Sequence, residues 1–237
     1  MGIDTVKTIG LIGGMSWESS AEYYRIINEA TKAQLGGLHS AKSILYSVDF
    51  AEVEALQHQD RWSEAADLMV AAAQALERAG ADLVVLCTNT MHKLASAIEA
   101  SITIPFLHIA DATAAAIQAQ GRQRVGLLGT QFTMEQDFYR GRLAERHGLE
   151  VLVPKLQERQ TVHRIIYQEL CLGVINADSR AQIVTIIQEL TAAGAEGIIL
   201  GCTELELLVR PQDTAVRLFP TTRIHGEAAV AAAIGQA

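Results

Sequence analysis

Two ten-residue stretches constrain this chain more than any other feature. Leu83 to His92 reads L-V-V-L-C-T-N-T-M-H, and Gly197 to Glu206 reads G-I-I-L-G-C-T-E-L-E, 114 residues further on. Each is a short apolar run that stops at small polar residues, the pattern of a buried parallel strand ending in a turn. The approaches coincide at the same offset, Ala79-Gly80-Ala81-Asp82 falling on Ala193-Gly194-Ala195-Glu196. In this register Thr88 falls on Cys202, and Cys87 on Gly201. A second pair agrees: Thr8 to Gly14 (T-I-G-L-I-G-G) matches Arg124 to Thr130 (R-V-G-L-L-G-T) at an offset of 116. Two related halves of about 115 residues account for both offsets, and two copies make a duplication rather than a solenoid.

Between these anchors the periodicity alternates between helix and strand. A loop over Met15 to Ser20 leads into a helix with Ser19 and Glu22 at capping-box spacing, faced by Ile26, Ile27 and Ala30 and ended by Gly36-Gly37. Ser43 to Phe50 reads as a strand. Ser63 opens a helix with Leu68, Met69, Ala72, Ala73 and Leu76 on one face. A helix from about Asn89 and a strand over Ile102 to Ile109 complete the first half. In the second half, Thr133 and Gln136 open a helix that Gly148 closes. A strand over Leu149 to Val153, a helix over Val162 to Leu170, an amphipathic helix over Ser179 to Ala193 and a strand over Arg217 to Ile224 follow. Alternation of this kind, repeated in both halves, implies an α/β fold of two pseudo-symmetric parallel-sheet domains. The expected domains are 1–100 with 216–237, and 101–215.

Composition narrows the function classes. A formal net charge of −8 speaks against a nucleic-acid or anionic-membrane surface, which needs clustered Lys and Arg. No run approaches the roughly 18 apolar residues of a membrane span. The apolar stretch before Gly13-Gly14 is too short for a signal-peptide core. Three widely spaced cysteines, Cys87, Cys171 and Cys202, make no disulfide framework and point to a reducing cytosol. The seven histidines show no zinc spacing, there is no Walker A motif, and Gly10, Gly13 and Gly14 form no dinucleotide fingerprint.

Ligands of open parallel sheets bind beyond the carboxyl ends of the strands. Thr88, Asn89, Thr90, Cys202, Thr203 and Glu204 all stand there, just before helices whose free N–H groups suit carboxylates. Related halves facing each other would put Thr88 and Cys202 on opposite sides of one ligand. Stereoinverting proton transfer needs that arrangement, one group removing a proton from one face while the other supplies one to the opposite face. Cys171 and Cys87 read as small buried hydrophobes, and His92 and His225 as hydrogen-bonding residues rather than bases.

N-T-M-H after the first strand end, G-C-T-E after the second, G-G-M-S near the start and I-H-G-E-A near the end together resemble the aspartate/glutamate racemase family over nearly the whole chain. G-C-T-E resembles the aspartate-racemase branch more than the glutamate racemases of cell-wall synthesis, which carry G-C-T-H. The resemblance implies a cofactor-independent homodimer that inverts a small-molecule acidic amino acid, L-aspartate or L-glutamate, with a catalytic pair facing each other across the interdomain cleft. Carried over residue by residue, that pair is Thr88 and Cys202. Asn89, Thr90 and Thr203 hold the carboxylates, Met15, Ser16 and Gln57 line the substrate, and Glu204 binds the α-ammonium group or orients Cys202.

Two departures from the family pattern stand out. Most members carry Cys where Thr88 stands; a Thr/Cys pair resembles the enterobacterial racemases specific for L-enantiomers. Cys87 lies one residue earlier, and a one-residue slip at a strand end points a side chain the other way. The Lys that some relatives place near Cys171 is also missing, leaving Arg159, His163, Arg164 or helix N-terminal amides to neutralise the side-chain carboxylate. A dicarboxylate isomerase or decarboxylase of the same superfamily, and a non-catalytic amino-acid-binding protein, are the rival readings.

Overall fold

The computed structural model describes residues 6–235. In order, its first part runs β1 (Ile9–Gly13), α1 (Trp17–Leu35), β2 (Ser43–Ser47), α2 (Phe50–His58), α3 (Trp62–Arg78), β3 (Leu83–Leu86), a 3-10 turn (Thr90–Leu94), α4 (Ala95–Ser101) and β4 (Phe106–Leu107). There follow α5 (Ile109–Gln118), β5 (Arg124–Gly129), α6 (Gln131–Glu135), α7 (Asp137–His147), β6 (Glu150–Leu152) and α8 (Leu156–Gln168). The chain then continues through α9 (Ala177–Ala192), β7 (Gly197–Gly201), α10 (Thr203–Leu208), β8 (Arg217–Pro220) and α11 (Thr221–Ala233). Two four-stranded parallel sheets result, ordered β2-β1-β3-β4 and β6-β5-β7-β8, flanked by helices as expected of an α/β fold.

Strand pairing carries both sequence offsets. Gly10 lies opposite Val84 in the first sheet, and Gly126 opposite Ile198 in the second. The repeated acidic elbow has a structural reason in each sheet. Asp82 accepts the Thr8 N–H at 2.6 Å, while Glu196 accepts those of Gln123 and Arg124 at 2.9 and 3.1 Å. Each carboxylate thereby ties down the start of the neighbouring central strand.

The difference between the offsets, 116 against 114, also has a location. In the first sheet Gly14 and Met15 stand between the end of β1 and the helix cap Ser16; in the second, Thr130 caps α6 directly after β5. Gly14 makes this detour with φ at +96°, where a Cβ would run into the backbone of Val48.

Several expected boundaries move. The caps are Ser16 and Thr130, each accepting the N–H three residues on, from Ser19 and Thr133, at 3.3 Å. Ser19 and Thr133, expected as caps, are thus the third helical residues. Ser63 does not cap α3, which starts at Trp62 behind Arg61. The strand expected over Ile102 to Ile109 pairs only at Phe106–Leu107 and gives way to α5, and the final strand stops at Pro220, where α11 takes over. Helix α2, unforeseen because only Val53 and Gln57 are buried on it, is capped by Asp49.

The chain divides into two compact units, Met1–His108 with His225–Ala237, and Ile109–Ile224. The helix after each sheet's fourth strand counts with the other unit. Ile109, Ala110, Ala114 and Ile117 of α5 join the core around Val125, Leu127 and Ile198, while Ala229, Val230 and Ala233 of α11 join Ile9, Leu11, Tyr23 and Val85.

Where α11 enters the first unit it buries His225. Its Nε2–H donates to the Leu107 carbonyl at 2.9 Å, so the neutral ring accepts the Tyr23 hydroxyl at Nδ1, 2.8 Å away. Burial, partly opposed by the Leu107 bond, pulls its pKa down to about 4. A histidine whose folded pKa lies below its unfolded value of roughly 6.5 favours folding fully above that value, and the contribution is lost as pH falls toward 4. The loss is on the order of 3 kcal/mol. Urea midpoints should therefore drop between pH 7 and 4.5, and His225→Gln should flatten that slope.

Candidate active site

In the first unit β3 is buried on both faces, and its side chains alternate between two cores. Leu83, Val85 and Cys87 face α1 and α11 with Tyr23, Ile27 and Val230, whereas Val84 and Leu86 face α3 with Met69, Ala72 and Leu76. Cys87, whose N–H still bonds to Ile12 at 2.9 Å, continues the first set. Burial pushes its thiol pKa far up, so it is a core residue.

Thr88 is the first residue beyond the sheet. Its N–H turns back to the Leu86 carbonyl at 2.9 Å, and its own carbonyl accepts the Nδ1–H of His92 at 2.7 Å. Asn89 and Thr90 follow, both buried. Met15 packs into the core beside Ile12 and Met91, and the Ser16 hydroxyl is engaged as the cap of α1. Gln57 is buried at the end of α2 and donates to Met91 Sδ at 3.0 Å.

In the second unit β7 ends at Gly201 and Cys202 is the N-cap of α10 in extended conformation, φ −156° and ψ 132°. Its Sγ–H donates to Glu204 Oε2 at 2.9 Å. Burial, then the charge of Glu204, raise the thiol well above its ordinary pKa. The resting residue is therefore the thiol, rather than the few per cent thiolate an exposed cysteine would show at neutral pH. Glu204, itself buried, is the acceptor in reach when that proton has to leave. The Thr203 hydroxyl accepts from Thr222, fully buried at the start of α11, at 3.0 Å. Sequence reasoning missed Thr222; a strand ended at Pro220 would have exposed it as a further strand-end residue.

All three candidates for the side-chain carboxylate have partners of their own. Arg159 donates to Glu135 at 2.8 Å and Arg164 to Glu169 at 3.2 Å. His163 accepts the Gln131 N–H at 3.2 Å, just past the end of β5, which leaves its hydrogen on Nε2 in the neutral ring. Among the described residues no cluster of His, Cys, Asp and Glu could hold a metal ion, and no helix is long and apolar enough to cross a membrane.

A sequence profile for Asp/Glu/hydantoin racemases matches residues 12–229. The chain belongs to that family. Among solved structures, a Yersinia pestis "putative Asp/Glu racemase" is similar to this family member at 58% identity and a TM-score of 0.90, over 96% of this chain and 99% of its own. An aspartate racemase homologue from Pyrococcus horikoshii OT3 is 36% identical with a TM-score of 0.83, over 96% and 99% of the two chains. A variant of arylmalonate decarboxylase, 17% identical with a TM-score of 0.54 over 97% and 94%, shares the racemase fold.

Proposed function

We propose that this protein is a cofactor-independent racemase of acidic amino acids, L-aspartate or L-glutamate, using Cys202 and Thr88 as its two proton-transfer groups. The equivalent positions of these residues at the ends of β3 and β7, with Cys87 turned into the core, carry the reading. The two must reach opposite faces of one α-carbon. Cys202 first gives its proton to Glu204; its thiolate then takes the α-proton of the L-enantiomer. Thr88 delivers its hydroxyl proton to the opposite face, forming the D-enantiomer. Exchange with solvent afterwards returns a proton to Thr88 and removes one from the Cys202–Glu204 pair.

A general base contributes about 10²–10⁴-fold, so charge stabilisation of the carbanion and exclusion of water must supply most of the acceleration. Asn89, Thr90 and Thr203 hold the carboxylates, Met15, Ser16 and Gln57 shape the substrate side of the first unit, and Glu204 sits beside the α-ammonium. The protein acts as a homodimer in a reducing cytosol.

Enantiomers have equal free energies in water, so kcat/KM must be the same in both directions. Threonine is far the weaker base, and the asymmetry should appear as a larger kcat and a larger KM for the L-enantiomer. The test is incubation with each acidic amino acid in D₂O without added cofactor, following α-deuterium and optical rotation. Deuterium in the inverted product is expected; no exchange with any of them rejects the proposal. Dicarboxylate decarboxylation is the second reading, favoured because Cys202 is the one thiol of the Thr88/Cys202 pair and a decarboxylase needs only one proton donor. Release of CO₂ from a substituted malonate, without amino-acid exchange, would select it.

A further inference from the structure

The two strand ends solve the same backbone problem differently. At the second, the Cys202 carbonyl accepts the Leu205 N–H at 3.1 Å, a backbone bond three residues on that closes the first turn of the helix it caps. At the first, the chain passes from Thr88 into a 3-10 turn, and the Thr88 carbonyl is met by a side chain, His92 Nδ1–H at 2.7 Å. A carbonyl only accepts, so this bond fixes the tautomer of His92. The ring is buried and held in place by aromatic neighbours: His108 at 4.6 Å between centroids, Phe106 at 5.6 Å and His225 at 5.8 Å. The position 114 residues on is Glu206, which instead accepts the Thr222 N–H at 3.0 Å. The device belongs to the first strand end only.

We infer that His92 is a positioning residue for Thr88, holding its backbone so that the hydroxyl meets the face opposite Cys202. The inference rests on the proposed racemase reading for its consequence in turnover, though not for its geometry. A misplacement of about 1 Å in a reacting group costs on the order of 10²-fold in rate. Loss of the His92 donor should therefore act on the Thr88 step and spare the Cys202 step.

The two steps can be separated with 3-chloro-L-aspartate. Cys202 removes its α-proton, the C–Cl bond breaks to release chloride, and the enamine formed tautomerises and hydrolyses to oxaloacetate and ammonia. No proton from Thr88 is needed. His92→Phe, which keeps the ring packing without the donor, should lower L-aspartate racemisation about 10–100-fold and leave chloride release within about twofold. His92→Asn, whose amide can stand in for Nδ1–H, should restore most of the racemisation. An equal fall in both reactions, or racemisation unchanged in His92→Phe, overturns the inference. A wild type that racemises nothing rejects the functional reading instead. The inference is then decided by the ¹³C shift of the Thr88 carbonyl, which should move in His92→Phe and hold in His92→Asn; no movement in either overturns it.

Discussion

Cys202→Ser is expected to remove racemisation to below detection, a loss of at least about 10²–10⁴-fold. A serine hydroxyl at this position would still face Glu204, 2.9 Å from the present Sγ, but is too weakly acidic to yield a base under those conditions. The substitution is nearly isosteric, so circular dichroism and melting temperature should stay close to wild type and isolate the chemical effect. Cys87→Ala is the control. Its thiol lies in the core with Leu83 and Val85, so the cost should be in stability while activity per folded molecule is retained. Activity lost with Cys87 and kept without Cys202 would reverse the assignment of the two cysteines.

Thr88→Ala should divide the reaction. Inversion of L-aspartate or L-glutamate is expected to fall by about 10²-fold or more, since Thr88 is the proposed donor to the second face. Chloride release from 3-chloro-L-aspartate should continue near the wild-type rate, because it draws only on Cys202. Thr88→Cys should instead shift the balance of kcat between enantiomers toward the D-side, a thiol being the stronger acid/base. A Thr88→Ala enzyme that still inverts its substrate at wild-type rate would remove Thr88 from the mechanism.

Much of the fold is legible because buried parallel strands have little freedom. The runs Leu83–Leu86 and Gly197–Gly201 are apolar on both faces, and their two sequence offsets reappear as pairing register. Helix starts are less legible. Ser19 and Thr133 match a capping-box spacing, yet the caps lie one turn earlier because β5 passes into its helix with no loop and Gly14–Met15 leaves only two residues in the first unit. Helix α5 is built largely of alanines and gives no strong stripe, and Ile102 to Ile109 reads as strand although only two residues pair.

At the candidate site, residue types and strand ends can be read from sequence, whereas partners cannot. Spacing alone shows neither that Cys202 gives its hydrogen to Glu204 nor that His92 reaches back to the Thr88 carbonyl, since both depend on rotamers within a turn. The same applies to Arg159 and Arg164, plausible carboxylate binders by composition that the fold pairs with Glu135 and Glu169.

The exchange of terminal helices has a consequence for how the molecule is made. The second unit is one continuous segment, Ile109–Ile224, and can close its core as soon as it has been synthesised. The first unit begins earlier but lacks Ala229, Val230 and Ala233 from its core until the last helix emerges. At about 5–20 residues per second, about 6–24 s separate the end of β4 from the arrival of His225 at the ribosome's exit. During that interval the part of the β1 and β3 face that lies against α11, beside α1, waits uncovered. The unit whose synthesis starts first is therefore the one that finishes folding last.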